Sequence, residues 1–188
     1  MQTSSSDSQV PNGKRKPSWG QRLRRWGLEI ALVLILLAGV HWYKARPLAD
    51  GLAPALSGQA IETLEPIDLS LPADRPRLVH FWASWCPICK LEEGSIEALS
   101  ADYEVITVAM QSGSAEEIRR YLSERALDLQ VIADPNGDIA RRWGVQAVPA
   151  SFIIDRGGQI RFRRVGYTTG FGLRARLWLA QLEANLSD

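Results

Sequence analysis

The chain has 188 residues, 46% of them hydrophobic and 23% charged, which is ordinary globular usage and unlike a disordered or fibrous protein. Residues 1–28 hold six basic side chains against the single acid Asp7, whereas residues 41–188 hold sixteen basic and nineteen acidic ones. Positive charge confined to one short segment ahead of an apolar run excludes a protein-wide basic surface for nucleic acid and points to a membrane.

Residues 1–25 read as a disordered cytoplasmic tail, rich in Ser, Asn, Gly, Pro and Lys. Residues 26–43 follow as a transmembrane signal anchor. The strict apolar run is Ile30 to Val40, and the eighteen residues from Trp26 to Tyr43, with Glu29 and His41 near the ends, span roughly 27 Å at 1.5 Å per residue. Trp26, Trp42 and Tyr43 sit where an aromatic belt would place them. Lys14, Arg15, Lys16, Arg22, Arg24 and Arg25 all precede the run, which puts the N-terminus in the cytoplasm and the rest of the chain outside it. A buried core helix and a cleaved signal peptide are the alternatives. The long polar leader and the lack of a small-x-small site after the run, where Pro47 would fall at −3, favour an uncleaved anchor. An oxidising compartment, where cysteines can pair, is then expected for everything after Tyr43.

Residues 44–60, with Pro47, Gly51, Pro54 and Gly58, read as a linker, and 61–188 is long enough for one compact core. Arg77 to Trp82 and Glu104 to Met110 suit buried strands, and between them Ile88, Leu91, Ile96, Leu99 and Tyr103 approximate a helical stripe. This βαβ unit predicts two parallel strands. Ser114 and Glu117 form a capping-box signature for a helix that places Ile118, Tyr121, Leu122 and Arg125 on one side. A short strand near Val131 and a short helix from Asp138 to Trp143 follow. Ser151 to Asp155 and Gln159 to Phe162, joined through Arg156, Gly157 and Gly158, read as a hairpin, and a final helix from Phe171 to Ala184 carries Leu173, Leu177, Trp178 and Leu182. The order predicts an α/β fold with a central mixed sheet flanked by helices.

The two cysteines of the chain, Cys86 and Cys89, enclose Pro87 and Ile88 at the junction of the first core strand and its helix. C-x-x-C beside a βαβ unit is a thioredoxin-like redox signature. At the first turn of a helix the leading sulfur faces unpaired backbone N–H groups and the positive end of the dipole, which favours thiolate. Cys86 is then the attacking and Cys89 the resolving thiol, and Pro87 suits a first helical position whose N–H would be unpaired anyway. A purely structural disulfide is a weaker reading, since closing so short a loop stabilises by only about 2 kcal/mol against about 4.7 for a hundred-residue loop. Two thiolates could bind zinc or copper, yet four-coordinate zinc needs further Cys or His ligands and the only histidines are His41 and His80. No resident metal or cofactor is expected.

The stretches HFWASWCPICK, Gly144-Val145-Gln146-Ala147-Val148-Pro149 and SFIID resemble the membrane-anchored thioredoxin-like proteins of Gram-negative bacteria, over about residues 61–188. With Arg142 to Val145 and Gly172 to Trp178, the chain looks most like the TlpA-like and suppressor-for-copper-sensitivity protein D group. The resemblance implies a thioredoxin fold, with Pro149 as the cis-proline opposite the dithiol, Val148 offering backbone hydrogen bonds to a substrate chain, and Trp85 beside the attacking sulfur. His80 departs from the family pattern, which carries an acid or Asn six residues before the first cysteine. One reading is that His80 relays a proton to or from Cys89, since histidine titrates near neutral pH; the other is a histidine satisfied by core hydrogen bonds. Lys90, Glu92 and Glu93 read as a solvated face.

The leading expectation is a thiol:disulfide oxidoreductase that exchanges its dithiol with periplasmic protein thiols or disulfides through a mixed disulfide on Cys86. The resemblance implies reductase duty in cytochrome c maturation or copper tolerance, with a membrane electron donor or acceptor as redox partner. An oxidant that introduces disulfides, a copper-binding module using the same thiols, and an inert anchored domain are the alternatives. The peroxidase pattern Pro-x-x-x-Thr-x-x-Cys does not occur.

Overall fold

The computed structural model describes residues 26–36, 39–40, 47–69 and 73–186. The chain divides into two compact units, Met1–Val40 and His41–Asp188. In the first, residues 26–36 are helical (α1). Among the described residues no helix is long and apolar enough to cross a membrane. Residues 37–38 and 41–43 of the expected anchor, and the expected tail 1–25, lie outside the described residues.

The second unit runs β1 (Gly51–Leu52), β2 (Ser57–Gln59), β3 (Pro66–Asp68), β4 (Arg77–Trp82), α2 (Pro87–Ser100), β5 (Glu104–Met110), α3 (Ala115–Glu124), β6 (Val131–Asp134), α4 (Asp138–Arg142), β7 (Ala150–Ile154), β8 (Gln159–Val165) and α5 (Gly170–Leu186). Six strands form one sheet in the order β1-β8-β7-β4-β5-β6, and β2 pairs with β3 alone. β4, β5 and β6 are parallel, whereas β4–β7 and β7–β8 are antiparallel, which is the mixed sheet predicted from the element order.

β4 occupies the middle with all six residues buried, as its unbroken RLVHFW sequence requires of a strand covered on both faces. Alternation along it sets the two sides of the molecule. Leu78 and Trp82 join the cluster containing Ile96 of α2 and Leu173 and Leu177 of α5, while Val79 and Phe81 join Trp143 and Phe152 on the other face. His80 shares the parity of Leu78 and Trp82, so the same strand carries it toward α2.

Two expectations change. Part of the stretch read as a linker is folded: it supplies β1 and β2, and Leu48 and Leu56 are only 3% and 1% exposed. Gly51 lies in β1 and Gly58 in β2, so these residues are part of paired strands. In α2 the first turn of the predicted stripe is out of register, because Ile88 and Leu91 are exposed and the buried face is Cys89, Glu92, Glu93, Ile96 and Leu99. In α5 the buried face is Leu173, Leu177 and Ala180, and Trp178 and Leu182 face outward.

Gly144 shows how tightly residues 47–49 are held. Its φ is +68°, and a Cβ there would lie 1.7 Å from the Pro47 carbonyl oxygen, next to the hydrogen bond that the Ala49 N–H donates to the Trp143 carbonyl at 2.9 Å. Gly144→Ala is therefore expected to destabilise the domain by about 2 kcal/mol or more, from strain at positive φ and the forced backbone shift. Thermal unfolding of the variant checks this, with an expected loss of several degrees in Tm.

Candidate active site

The turn from β4 into α2 is held on both sides. The Cys86 N–H donates to the Ala83 carbonyl at 3.0 Å, the Ser84 N–H to Ser112 Oγ at 3.0 Å, and the Trp85 indole N–H to the Gln111 carbonyl at 3.0 Å. Cys86 is the N-cap of α2 in an extended conformation, with Pro87 in the first turn. Its Sγ accepts the Cys89 N–H at 3.3 Å and lies 3.7 Å from the Val148 carbonyl oxygen. The Val148–Pro149 peptide bond is cis. The fold thus brings Cys86, Cys89, Trp85, Pro87, Ile88, Val148 and Pro149 to one place. Trp85 and Ile88 form an exposed rim, and both cysteines are free thiols with almost no exposed surface.

Beneath this rim lies a group of ionisable side chains that the sequence reading placed in solvent. Glu92 is 1% exposed, and Glu93 is also buried; only Lys90 of that trio is exposed. The reason is helical spacing, since Glu92 and Glu93 stand three and four residues after Cys89 and so share its inward face. Glu92 accepts the Thr168 N–H through one oxygen, while its other oxygen has no hydrogen-bond partner and lies 3.9 Å from His80 Nε2. Burial raises its pKa to about 7, partly offset by the Thr168 hydrogen bond. Burial pushes the Cys89 thiol well above the usual range, with its hydrogen bond to Cys86 and the nearby Cys86 and Glu92 acting the same way.

His80 is hydrogen-bonded through Nδ1 to Ser151 Oγ at 3.0 Å, and burial lowers its pKa to about 4. The imidazole is therefore neutral at pH 6–8, and the group that titrates in that range is Glu92, not His80. His80 and Cys89 line one small cavity together with Trp82, Glu93, Ile96, Leu127 and Leu129. Glu93 accepts from the Tyr121 hydroxyl and from Arg125 Nε at 2.5 Å, so it braces α2 against α3 as a paired anion. Among the described residues no group of three or more His, Cys, Asp or Glu is placed to hold a metal ion.

These shifts have opposite consequences for stability. Above the ordinary thiol pKa of about 8.5 the unfolded chain loses a proton that folded Cys89 keeps, so stability falls as pH rises, by up to about 1.4 kcal/mol per pH unit. Glu92, protonated in the fold up to about pH 7, makes stability fall as pH rises from about 4.5 to 7, whereas His80, neutral in the fold down to about pH 4, makes it rise from about 4 to 6.5. Denaturant unfolding of the reduced protein is expected to show a shallow profile between about pH 4.5 and 6.5 and a decline above about pH 9. Glu92→Gln should turn the shallow region into a rise, and Cys89→Ala should delay the alkaline decline to above about pH 10, where Tyr121, held protonated by burial and by Glu93, still contributes one.

Comparison with known proteins agrees with this geometry. Residues 51–163 match the AhpC/TSA family. A thioredoxin-like protein of Haemophilus influenzae is 27% identical over 166 residues, covering 86% of this chain and 96% of that one. The thiol:disulfide interchange protein HelX of Rhodobacter capsulatus is 31% identical over 124 residues, 65% of this chain and 70% of that one. A Chlorobium tepidum structure assigned as the thiol:disulfide interchange protein DsbE superposes with a TM-score of 0.63 at 25% identity, covering 71% of this chain and 99% of its own. With a C-x-x-C helix N-terminus set against a cis-proline, the chain belongs to the AhpC/TSA family as a thiol:disulfide oxidoreductase of thioredoxin fold.

Proposed function

We propose that the protein is a reductase of the TlpA-like and suppressor-for-copper-sensitivity protein D group, anchored in the bacterial inner membrane by residues 26–43 with its catalytic domain in the periplasm. Its substrates are protein disulfides of cytochrome c maturation or copper tolerance, and a membrane electron donor restores the dithiol. The observation that carries this reading is the pairing of a cap sulfur, Cys86, beside the cis Val148–Pro149 bond with a second, buried thiol next to Glu92.

The reaction follows from that arrangement. Cys86 thiolate attacks one sulfur of the substrate disulfide, forming the Cys86–substrate bond as the substrate S–S bond breaks and the first substrate thiolate leaves. Trp85, Pro87 and Ile88 wall the approach, and the Val148 backbone pairs with the substrate chain. Cys89 then attacks Cys86 Sγ, releasing the second substrate thiolate; the substrate gains two electrons and the protein becomes the Cys86–Cys89 disulfide. For that second step Cys89 must lose a proton that its burial holds tightly. Glu92, whose pKa of about 7 leaves part of it ionised at neutral pH, takes it, and neutral His80, with Nε2 3.9 Å from the carboxyl group, is a positioning residue that holds Glu92 for the transfer.

In cells producing the full chain, Cys89→Ser is expected to accumulate disulfide-linked adducts with periplasmic proteins that disappear on reduction and are absent from Cys86→Ser. Absence of adducts, or equal adducts from both variants, contradicts the assignment. His80→Asn should slow release of the second thiol between pH 6 and 8 by about tenfold while leaving the first attack unchanged. Unchanged rates across that range would remove His80 from the proton route.

A further inference from the structure

The chain leaves the end of β5 in a conformation that its neighbours hold on every side. β5 ends at Met110, paired with Asp134 of β6, and the Gln111 N–H extends that ladder by donating to the Asp134 carbonyl at 2.9 Å. Asp134 is itself fixed, being 3% exposed, with its carboxylate oxygens accepting the Ile139 and Ala140 N–H groups at 3.1 and 2.9 Å. Gln111 then turns out of the sheet with φ at +48°, the left-handed region that a residue with a side chain seldom enters. Backbone held there costs stability, and such residues cluster where function requires the geometry.

What this conformation achieves is a carbonyl that meets a side chain 26 positions earlier, accepting the Trp85 indole N–H at 3.0 Å. Beside it Ser112, itself buried, accepts the Ser84 N–H at 3.0 Å and donates to the Met110 carbonyl at 3.1 Å. Two successive residues after β5 thus hold two successive residues of the turn that leads into Cys86. Trp85 depends on the first of these contacts. Its ring is 57% exposed, so packing does little to fix its rotamer. The hydrogen bond supplies the restraint, turns the polar edge of the ring toward Gln111, and leaves apolar ring surface beside the sulfur.

Resting on the reductase reading, we propose that Gln111 is a positioning residue whose left-handed backbone places the carbonyl that holds Trp85, so that the wall beside Cys86 is ordered before a protein disulfide arrives. Ordering the wall in advance removes an entropy cost from binding. The gain falls on substrates large enough to lie along Trp85 and not on those that reach only the sulfur. Because the role belongs to the backbone, glycine preserves it by entering the left-handed region without strain, and a β-branched residue does not.

The reduced full chain in detergent micelles is mixed with either a peptide disulfide or the small hydroxyethyl disulfide, and the second-order rate of each reduction is followed. Gln111→Val is expected to slow the peptide about fivefold more than it slows the small disulfide. It should also shift the Trp85 indole N–H signal in the NMR spectrum and speed its exchange with solvent. Gln111→Gly should keep the wild-type signal and the wild-type ratio of rates. Trp85→Phe, which removes the donor, should slow the peptide selectively, and adding Gln111→Val to it should change the ratio no further.

Equal losses with both disulfides, or a Gln111→Val effect as large in the Trp85→Phe chain as in the wild type, overturns the role. So does a Gln111→Gly chain that behaves like Gln111→Val. If Gln111→Val does not fold, two results still decide: a wild-type indole N–H that exchanges like a free one, or a Trp85→Phe chain with the wild-type ratio, overturns the role, and their opposites support it. Failure of the wild type to reduce either disulfide contradicts the reductase reading itself and is distinct from a changed ratio between the two.

Discussion

A thiol and a carboxyl group buried side by side beneath a reactive sulfur is the constraint on which the rest of this site depends. Cys89 and Glu92 lie on the inward face of α2 with 1% exposure each, and both would be charged groups without solvent if they ionised together. Burial therefore keeps the proton on Cys89 throughout the neutral range and raises Glu92 to a pKa of about 7, where it titrates. The difference between the two thiols follows from placement alone. Cys86 caps the helix and accepts a backbone N–H at 3.3 Å, whereas Cys89 sits one turn deeper, where a thiolate has little to stabilise it. In the proposed reaction the first sulfur attacks and the second waits.

The same carboxyl group connects proton handling to the substrate wall. One Glu92 oxygen accepts the Thr168 N–H from the segment between β8 and α5, and that segment is joined to the cis-proline through the Gly166 N–H and Pro149 carbonyl. The other faces His80, whose second nitrogen reaches Ser151 on the strand that follows Pro149. Glu92 and His80 thus link α2, β4, β7 and the β8–α5 segment by hydrogen bonds and one close approach.

Much of this was legible in the sequence where the signal is local. β-Branched runs gave β4 and β5 their limits, Ser114 and Glu117 form the predicted capping box with both hydrogen bonds present, and the Cys86 cap follows from the dithiol at a strand-to-helix junction. Glu92 and Glu93 were missed because charge outweighed spacing: Cys89, Glu92, Glu93, Ile96 and Leu99 recur at the helical period, and that stripe was available once Cys89 was taken as inward-facing. The packing of residues 48–60 had no such signal. Its first residues are held by Gly144 and Trp143, more than ninety residues away, and only the tertiary fold brings them together. The low His80 pKa likewise comes from burial in the central strand, which residue type alone does not report.

The reduction potential of the Cys86–Cys89 couple in the full chain, equilibrated against glutathione or dithiothreitol buffers, tests the assigned direction of electron flow most directly. A reductase supplied by a membrane donor requires a value near that of thioredoxin, about −270 mV. A value near about −120 mV, typical of a strong oxidant, would contradict it.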